Sequence, residues 1–105
     1  MEQARIAITT VSSREEAKHM ARALVEERVA ACVNIVGGCD SIYRWQGAVE
    51  EAAEVLLLIK TNVEKIDALE AAVRRLHSYD VPEFLILQID GGSAAYLAWL
   101  RESLE

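Results

Sequence analysis

The sequence has little with which to break or staple a chain. Proline occurs once, at Pro82, and glycine five times. Nothing reads as a linker or a low-complexity tract, so the 105 residues read as one domain, 1–105, around one core. The two cysteines, Cys32 and Cys39, form no Cys-x-x-Cys pair, and two thiols do not make a disulfide framework. Free thiols in a reducing cytoplasm are the expectation. The opening stretch MEQARIAITT lacks a charged segment followed by a long apolar run, so no secretory signal is expected. The apolar run Val55–Ile59 falls far short of the ~20 residues a membrane span needs, which argues against a membrane partner. Basic charge is also scarce. Lys and Arg total 11 against 17 Asp and Glu, a net charge of −6, and only Arg74 and Arg75 are adjacent. Such a surface repels phosphate backbones, which argues against nucleic acid. Gly37-Gly38 and Gly91-Gly92 lack the spacing of a phosphate-cradling loop. Ser78 beside His77 is adjacency in the chain and not a catalytic triad.

What is present is strongly patterned. Hydrophobic residues make up 52% and charged residues 27%, a globular balance. Ala4–Val11 reads as a buried strand, with Ile6, Ile8 and Val11 among Thr9 and Thr10. Ser12-x-x-Glu15 and Ser13-x-x-Glu16 both fit the pattern in which a hydroxyl and a carboxylate satisfy the first free amides of a helix. Ala17, Met20, Ala21, Leu24 and Val25 then fall on one helical face. Val29–Val36 reads as a second strand that ends at Gly37-Gly38. Ser41–Trp45, a Gln46-Gly47 turn and the long strand Ala48–Lys60 make a hairpin. Within it Val55–Ile59 is apolar without alternation, a mark of burial on both faces. Thr61-x-x-Glu64 predicts another helix start, and Ile66, Leu69, Val73 and Leu76 repeat at helical spacing. His77–Pro82 reads as a turn, Phe84–Ile89 as a strand, Asp90-Gly91-Gly92 as a turn and Ser93–Leu104 as a last helix. The order β-α-β-β-α-β plus a C-terminal helix predicts an α+β, ferredoxin-like split βαβ sandwich with an antiparallel sheet. Both long helices would cover one face. The other face calls for a cover, and partner subunits are the expectation.

Candidate functional residues follow from side-chain chemistry. The imidazole of His77 suits copper and zinc. No second ligand accompanies it at local metal-site spacing, and a histidine closing a helix also stabilises the last turn through the dipole. Cys32, in an apolar strand, is either a small hydrophobe or, as thiolate, a soft metal ligand. Partner subunits that brought Cys32 near His77 would allow a shared metal site. His19 reads as surface and Cys39 as incidental. Glu50, Glu51 and Glu54 form an acidic stretch. It fits a hard-cation site at a subunit boundary, acid–base chemistry or a solvated strand that guards an edge. Glu54 and Lys60 flank the most apolar run, where charge is costly unless paired. Tyr43, Trp45, Tyr79 and Trp99 combine apolar bodies with polar handles. Interface packing is their first reading and a ligand cleft the second. Lys60, His77, Tyr79 and Glu83 would line a cleft between subunits for a small anion or metabolite. Glu54 and His77 would be the acid and base of an enzyme.

Ala30-Ala31-Cys32-Val33-Asn34-Ile35, Ser41-x-Tyr43-x-Trp45-x-Gly47, Glu54 through Leu58-Ile59-Lys60-Thr61, His77-x-Tyr79-x-Val81-Pro82-Glu83 and Tyr96-Leu97-x-Trp99 occur in an order and spacing that resembles the CutA, or divalent-cation tolerance, family. The resemblance runs from Ile6 to Leu104. It implies a ferredoxin-like protomer, a homotrimer joined by strand pairing between subunits, and a cytoplasmic role linked to divalent cations, copper above all. It implies no enzymatic reaction and no required cofactor, with Cu(II) or another divalent cation as the bound species. It also implies a likeness to PII signalling trimers, so a PII-like sensor of a small metabolite or anion is the alternative reading. Some bacterial members have a cysteine in the first strand and a second histidine beside the one matching His77. This chain has Thr9 and Leu76 there. It also has Ser78 where the family often has proline and Ala48 where many members carry lysine.

Overall fold

The computed structural model describes residues 2–105. Its elements are β1 (Ala4–Val11), α1 (Arg14–Glu26), β2 (Cys32–Trp45), β3 (Ala48–Asn62), a 3-10 turn (Val63–Lys65), α2 (Ile66–Leu76), β4 (Leu85–Gln88) and α3 (Ala94–Ser103). The sheet order is β2-β3-β1-β4, and every neighbouring pair is antiparallel. β1 and β2 therefore run parallel with β3 inserted between them, which is the α+β, ferredoxin-like split βαβ arrangement.

Alternation along the strands decides what each face meets. Ala7 and Val11 of β1 and Val55, Leu57 and Ile59 of β3 point at the helices. There they pack with Ala17, Met20 and Leu24 of α1 and Leu69, Ala72 and Val73 of α2. The residues between them, Ile6, Ile8, Leu56 and Leu58, face the other way and are half-buried. α3 closes one end of that second face, where Leu100 and Leu104 pack on Ala4 and Ala31. The rest stays open: Leu85 is 57%, Leu87 48% and Val36 43% exposed. Val55–Ile59 thus looks continuous in sequence because one half faces the core and the other half faces this open patch.

Local chemistry sets the boundaries and moves several from their expected places. Of the two overlapping capping patterns, Ser13 is the one used: its Oγ accepts the Glu16 N–H at 3.1 Å, while Ser12 Oγ donates to Glu16 Oε1. Val25 turns to solvent because the buried stripe of α1 is confined to Ala17, Met20 and Leu24. Gly37-Gly38 does not end a strand. Both glycines stand between the pairs Val36↔Leu56 and Cys39↔Glu54, opposite the single residue Val55. This is a β-bulge, with Gly38 at φ 71, and it lets β2 continue to Trp45. Val29–Ala31 precede β2 as loop. Thr61 does not cap a helix either. It lies buried in β3, and its Oγ1 donates to the Val29 carbonyl at 2.8 Å, so α2 begins later, at Ile66, without a side-chain cap. β4 is shorter than the apolar stretch Phe84–Ile89, since pairing with β1 spans only Leu85–Gln88. Gln46 (φ 48) and Gly47 (φ 82) turn the hairpin with the positive-φ pair a tight two-residue loop needs. Ser93 caps α3 through the Tyr96 N–H.

One buried polar atom stands out. Thr9 is fully buried on the helix-facing side, and its Oγ1 has no hydrogen-bond partner among the described residues. A desolvated hydroxyl without a partner costs stability, and the isosteric methyl removes that cost. Thr9→Val is expected to raise stability by about 1 kcal/mol, read as a higher guanidinium midpoint at one fixed protein concentration. Leu57→Ala, at a fully buried site, should lower it by about 2–5 kcal/mol.

Candidate functional site

β1 ends at Val11, paired with Val55, whereas β2 and β3 continue beyond it to the turn. Residues 39–54 therefore leave the body as a two-stranded arm. In the arm Ser41 faces Ala52, Tyr43 faces Glu50 and Cys39 faces Glu54. Cross-strand partners share a face, so the short Ser41 and Ala52 leave a hollow between larger residues. The turn after α2 closes the other side. The result is a cleft of about 790 Å³ lined by Thr10, Ser41, Ile42, Tyr43, Trp45, Glu54, Tyr79, Asp80, Val81 and Glu83. Its lining holds three aromatic rings and three carboxylates, and no Lys or Arg among the described residues.

His77 sets the position of the turn. Its side chain is 0% exposed. Nε2 lies 2.8 Å from the Thr10 carbonyl oxygen, so this nitrogen carries the proton and donates. Nδ1 accepts the Tyr79 N–H at 3.1 Å. The ring is thus the neutral Nε2–H tautomer with its lone pair engaged. Glu16 Oε2 sits 3.8 Å from Nδ1, beyond hydrogen-bond reach. Glu16 instead accepts from the Ser78 N–H at 3.0 Å and the Ser78 hydroxyl at 3.1 Å. Burial works to raise the Glu16 pKa, but these bonds and those from Ser12 outweigh it and hold the carboxyl below its usual range. Tyr79 packs on His77 with ring centroids 4.7 Å apart, and its hydroxyl donates to Glu54 Oε2 at 2.7 Å. Burial, then the Glu54 carboxylate, push the Tyr79 pKa up to about 12.

The expected site residues divide into two places. Glu54, Tyr79, Glu83, Tyr43 and Trp45 meet in the cleft. Lys60 does not. It is six residues from Glu54 along β3, about 20 Å by strand rise, with Nζ 3.4 Å from the Tyr96 hydroxyl and 5.6 Å from that ring's centroid. Cys32 pairs across the sheet with Lys60, far from His77, so one protomer does not join the thiol to the imidazole. Trp99 stands on α3 beside Tyr96, ring centroids 5.4 Å apart. Thr9 points into the core, and Leu76 packs against it. No three of His, Cys, Asp and Glu among the described residues converge on a metal position. With the His77 lone pair engaged, the residues of one protomer do not fit a copper ion. Thr10, Ser41 and Asp80 are lining residues that the sequence reading missed, and so is Glu16 behind the turn. Asp80 was visible beside the Val81-Pro82-Glu83 motif, but Glu16 contacts Ser78 across 62 residues, which no local pattern reveals.

Tyr79 carries a pH signature. A tyrosine whose folded pKa lies above its unfolded value of about 10 stabilises the fold in full below pH ~10 and loses that contribution as pH rises toward 12. Alkaline titration of the tyrosinate absorbance should show Tyr79 ionising late. Glu54→Gln should move its midpoint down, because the adjacent negative charge is removed.

Comparison with known proteins follows the same lines. Residues 5–103 match the family model described as CutA1 divalent ion tolerance protein. The divalent-cation tolerance protein CutA of Thermus thermophilus is 53% identical over 98 residues, covering 93% of this chain and 95% of that protein. Protein CutA 1, chloroplastic, of Oryza sativa is 46% identical over 98 residues, 93% of this chain, and the chain spans 55% of that relative's length. CutA from Xylella fastidiosa superposes with a TM-score of 0.96 at 36% identity, covering 98% of this chain and 99% of that one. CutA from Synechococcus elongatus gives 0.96 at 43% identity, covering 100% and 93%. With nearly the whole chain matched in sequence and in fold, the protein belongs to the CutA1 divalent ion tolerance family.

Proposed function

We propose that the chain acts in tolerance to divalent cations, Cu(II) among them, as a cytoplasmic homotrimer whose acidic clefts attract cations. Family membership supports the role. The observation that carries the reading is the cleft itself, with Glu54, Asp80 and Glu83 in its lining and no basic side chain among the described residues. Low-dielectric walls focus such a field, concentrate cations and turn anions away. Lys60, expected to receive an anion there, lies at the far end of β3. Within one protomer the anion-sensing alternative has no Lys or Arg among the described residues of the cleft.

Two features support assembly. The open sheet face carries Leu85 and Leu87 at 57% and 48% exposure beside Ile6, Ile8, Leu56 and Leu58. An apolar surface of this kind marks a protein contact. The arm of residues 39–54 is two-stranded, an arrangement that is marginal in water without further pairing. A ring of three copies, each covering the next one's open face and lengthening its sheet, answers both demands. Trp99, exposed on α3, joins that contact. Ligands for a divalent ion then come from more than one subunit. The two free thiols, Cys32 and Cys39, suit a reducing compartment, and among the described residues no helix is long and apolar enough to cross a membrane. The reading assigns no reaction, since His77 has no free lone pair with which to act as a base.

Light scattering on the eluting protein is expected to give the mass of three chains at micromolar concentration, and Leu87→Asp is expected to dissociate it. A stable wild-type monomer would contradict the assembly. In calorimetry, Cu(II) binding heat should fall in Glu54→Gln and in Glu83→Gln at unchanged mass. Equal heats in wild type and both variants would remove the cleft from the cation role.

A further inference from the structure

The junction behind the cleft holds two titratable groups that the cation role leaves unused. The side chain of His77 is 0% exposed and that of Glu16 15%. The imidazole is buried within the single chain, so a neighbouring subunit finds no surface of it to cover. Nε2–H donates to the Thr10 carbonyl at 2.8 Å, and Nδ1 accepts the Tyr79 N–H at 3.1 Å. Glu16 Oε2 stands 3.8 Å from the same Nδ1, held there by the N–H and hydroxyl of Ser78. Nδ1 therefore has one donor and one acceptor beside it. As the bare nitrogen of a neutral ring it takes the donor, and as an imidazolium N–H it takes only the acceptor. We infer that this junction is an acid-operated latch: protonation of His77 at Nδ1 moves the ring from the Tyr79 N–H to the Glu16 carboxylate and unfastens the turn that follows α2.

The charges around the ring favour the second state once the proton is present. From α1 comes Glu16. Its bonds from Ser78 and Ser12 outweigh its burial and hold the carboxyl below its usual range, so it is still ionised where an ordinary imidazole takes up a proton, near pH ~6.5. His77 closes α2, its backbone N–H on the Val73 carbonyl, and the partial negative charge of that helix end favours a cation. The basic residues of the last turn, Arg74 and Arg75, are paired with Glu70 and Glu27. β1 presents the Thr10 carbonyl, an acceptor that serves both states. Tyr79 packs on the ring from the turn, and the charges that bear on Tyr79 are those of Glu54 on β3, Glu16 and Tyr43 on β2. A movement of about 1 Å brings Oε2 within charge-assisted bonding distance of Nδ1. The Tyr79 N–H is then left without its acceptor. Since the Tyr79 hydroxyl donates to Glu54 Oε2 at 2.7 Å, the change at the imidazole reaches the arm through one residue. None of this depends on what the cleft binds.

NMR of ¹⁵N-labelled full chain follows the His77 ring and the Tyr79 amide from about pH 8 down to about pH 5, a range that spans ordinary imidazole titration. Light scattering at each pH checks that the mass is unchanged. Nδ1 of His77 is expected to gain a proton across this range. The protection factor of the Tyr79 amide against solvent exchange should fall about tenfold with it, the worth of one lost hydrogen bond. Glu16→Gln keeps an acceptor for Ser78 and removes the charge, so both changes should move together to lower pH. His77→Gln keeps a donor for Thr10 and does not titrate, so the Tyr79 protection factor should be equal at both ends of the range. A His77 ring that stays neutral down to pH ~5, a midpoint unmoved by Glu16→Gln, or a Tyr79 response that survives His77→Gln would overturn the inference.

Discussion

The imidazole of His77 ties the end of α2 to the end of β1, and the cleft depends on that junction. Nε2–H donates to the Thr10 carbonyl near the end of β1. Nδ1 accepts from the Tyr79 N–H and so sets the first bend of the segment that carries Tyr79, Asp80 and Glu83 to the arm. Glu16 grips the same bend from α1 through both groups of Ser78. A ring with both nitrogens engaged and no exposed surface is a poor metal ligand and an effective clamp. Buried polar groups with every partner in place rigidify what they join, which is the property a pre-formed site needs.

Much of the fold could be read from local pattern because the forces that place it are local. Periodicity located the core faces of α1 and α2, Ser13 and Ser93 marked helix starts, and Gln46-Gly47 marked the hairpin turn. The failures share a physical cause. Thr61-x-x-Glu64 has the form of a cap, but a strand-end hydroxyl found the Val29 carbonyl instead, a partner 32 residues away. Gly37-Gly38 reads as a strand end, yet two residues against one on a paired partner make a bulge, and only the pairing of β2 with β3 reveals it. The site followed the same rule. Tyr43, Trp45, Glu54, Tyr79 and Glu83 stood out by type, and the structure gathers them. Lys60 stood out equally and shares a sheet face with Glu54, but six residues of strand rise carry it to the opposite end of β3. His77 was conspicuous as a ligand because sequence cannot show where its two nitrogens point.

The two faces of the sheet divide the work of the molecule. One buries a core of aliphatic residues under α1 and α2. The other keeps an apolar patch open and carries α3 at one end and the cleft at the other. In the proposed trimer, assembly and cation capture are neighbours on the same surface, and the arm belongs to both. Charge then separates the two ends. The cleft is acidic, whereas Lys60 leans on Tyr96 at the far end. The lining of the cleft holds no Lys or Arg among the described residues of the protomer.

The role of His77 as a clamp is tested most directly by nitrogen NMR of ¹⁵N-labelled imidazoles in the assembled protein. At neutral pH the His77 ring should show a protonated Nε2 and an accepting Nδ1, with both signals retained when Cu(II) is added below one equivalent. A protonated Nδ1, or selective loss of the His77 signals at low Cu(II), would instead make His77 a metal ligand and contradict the structure of the cleft described above.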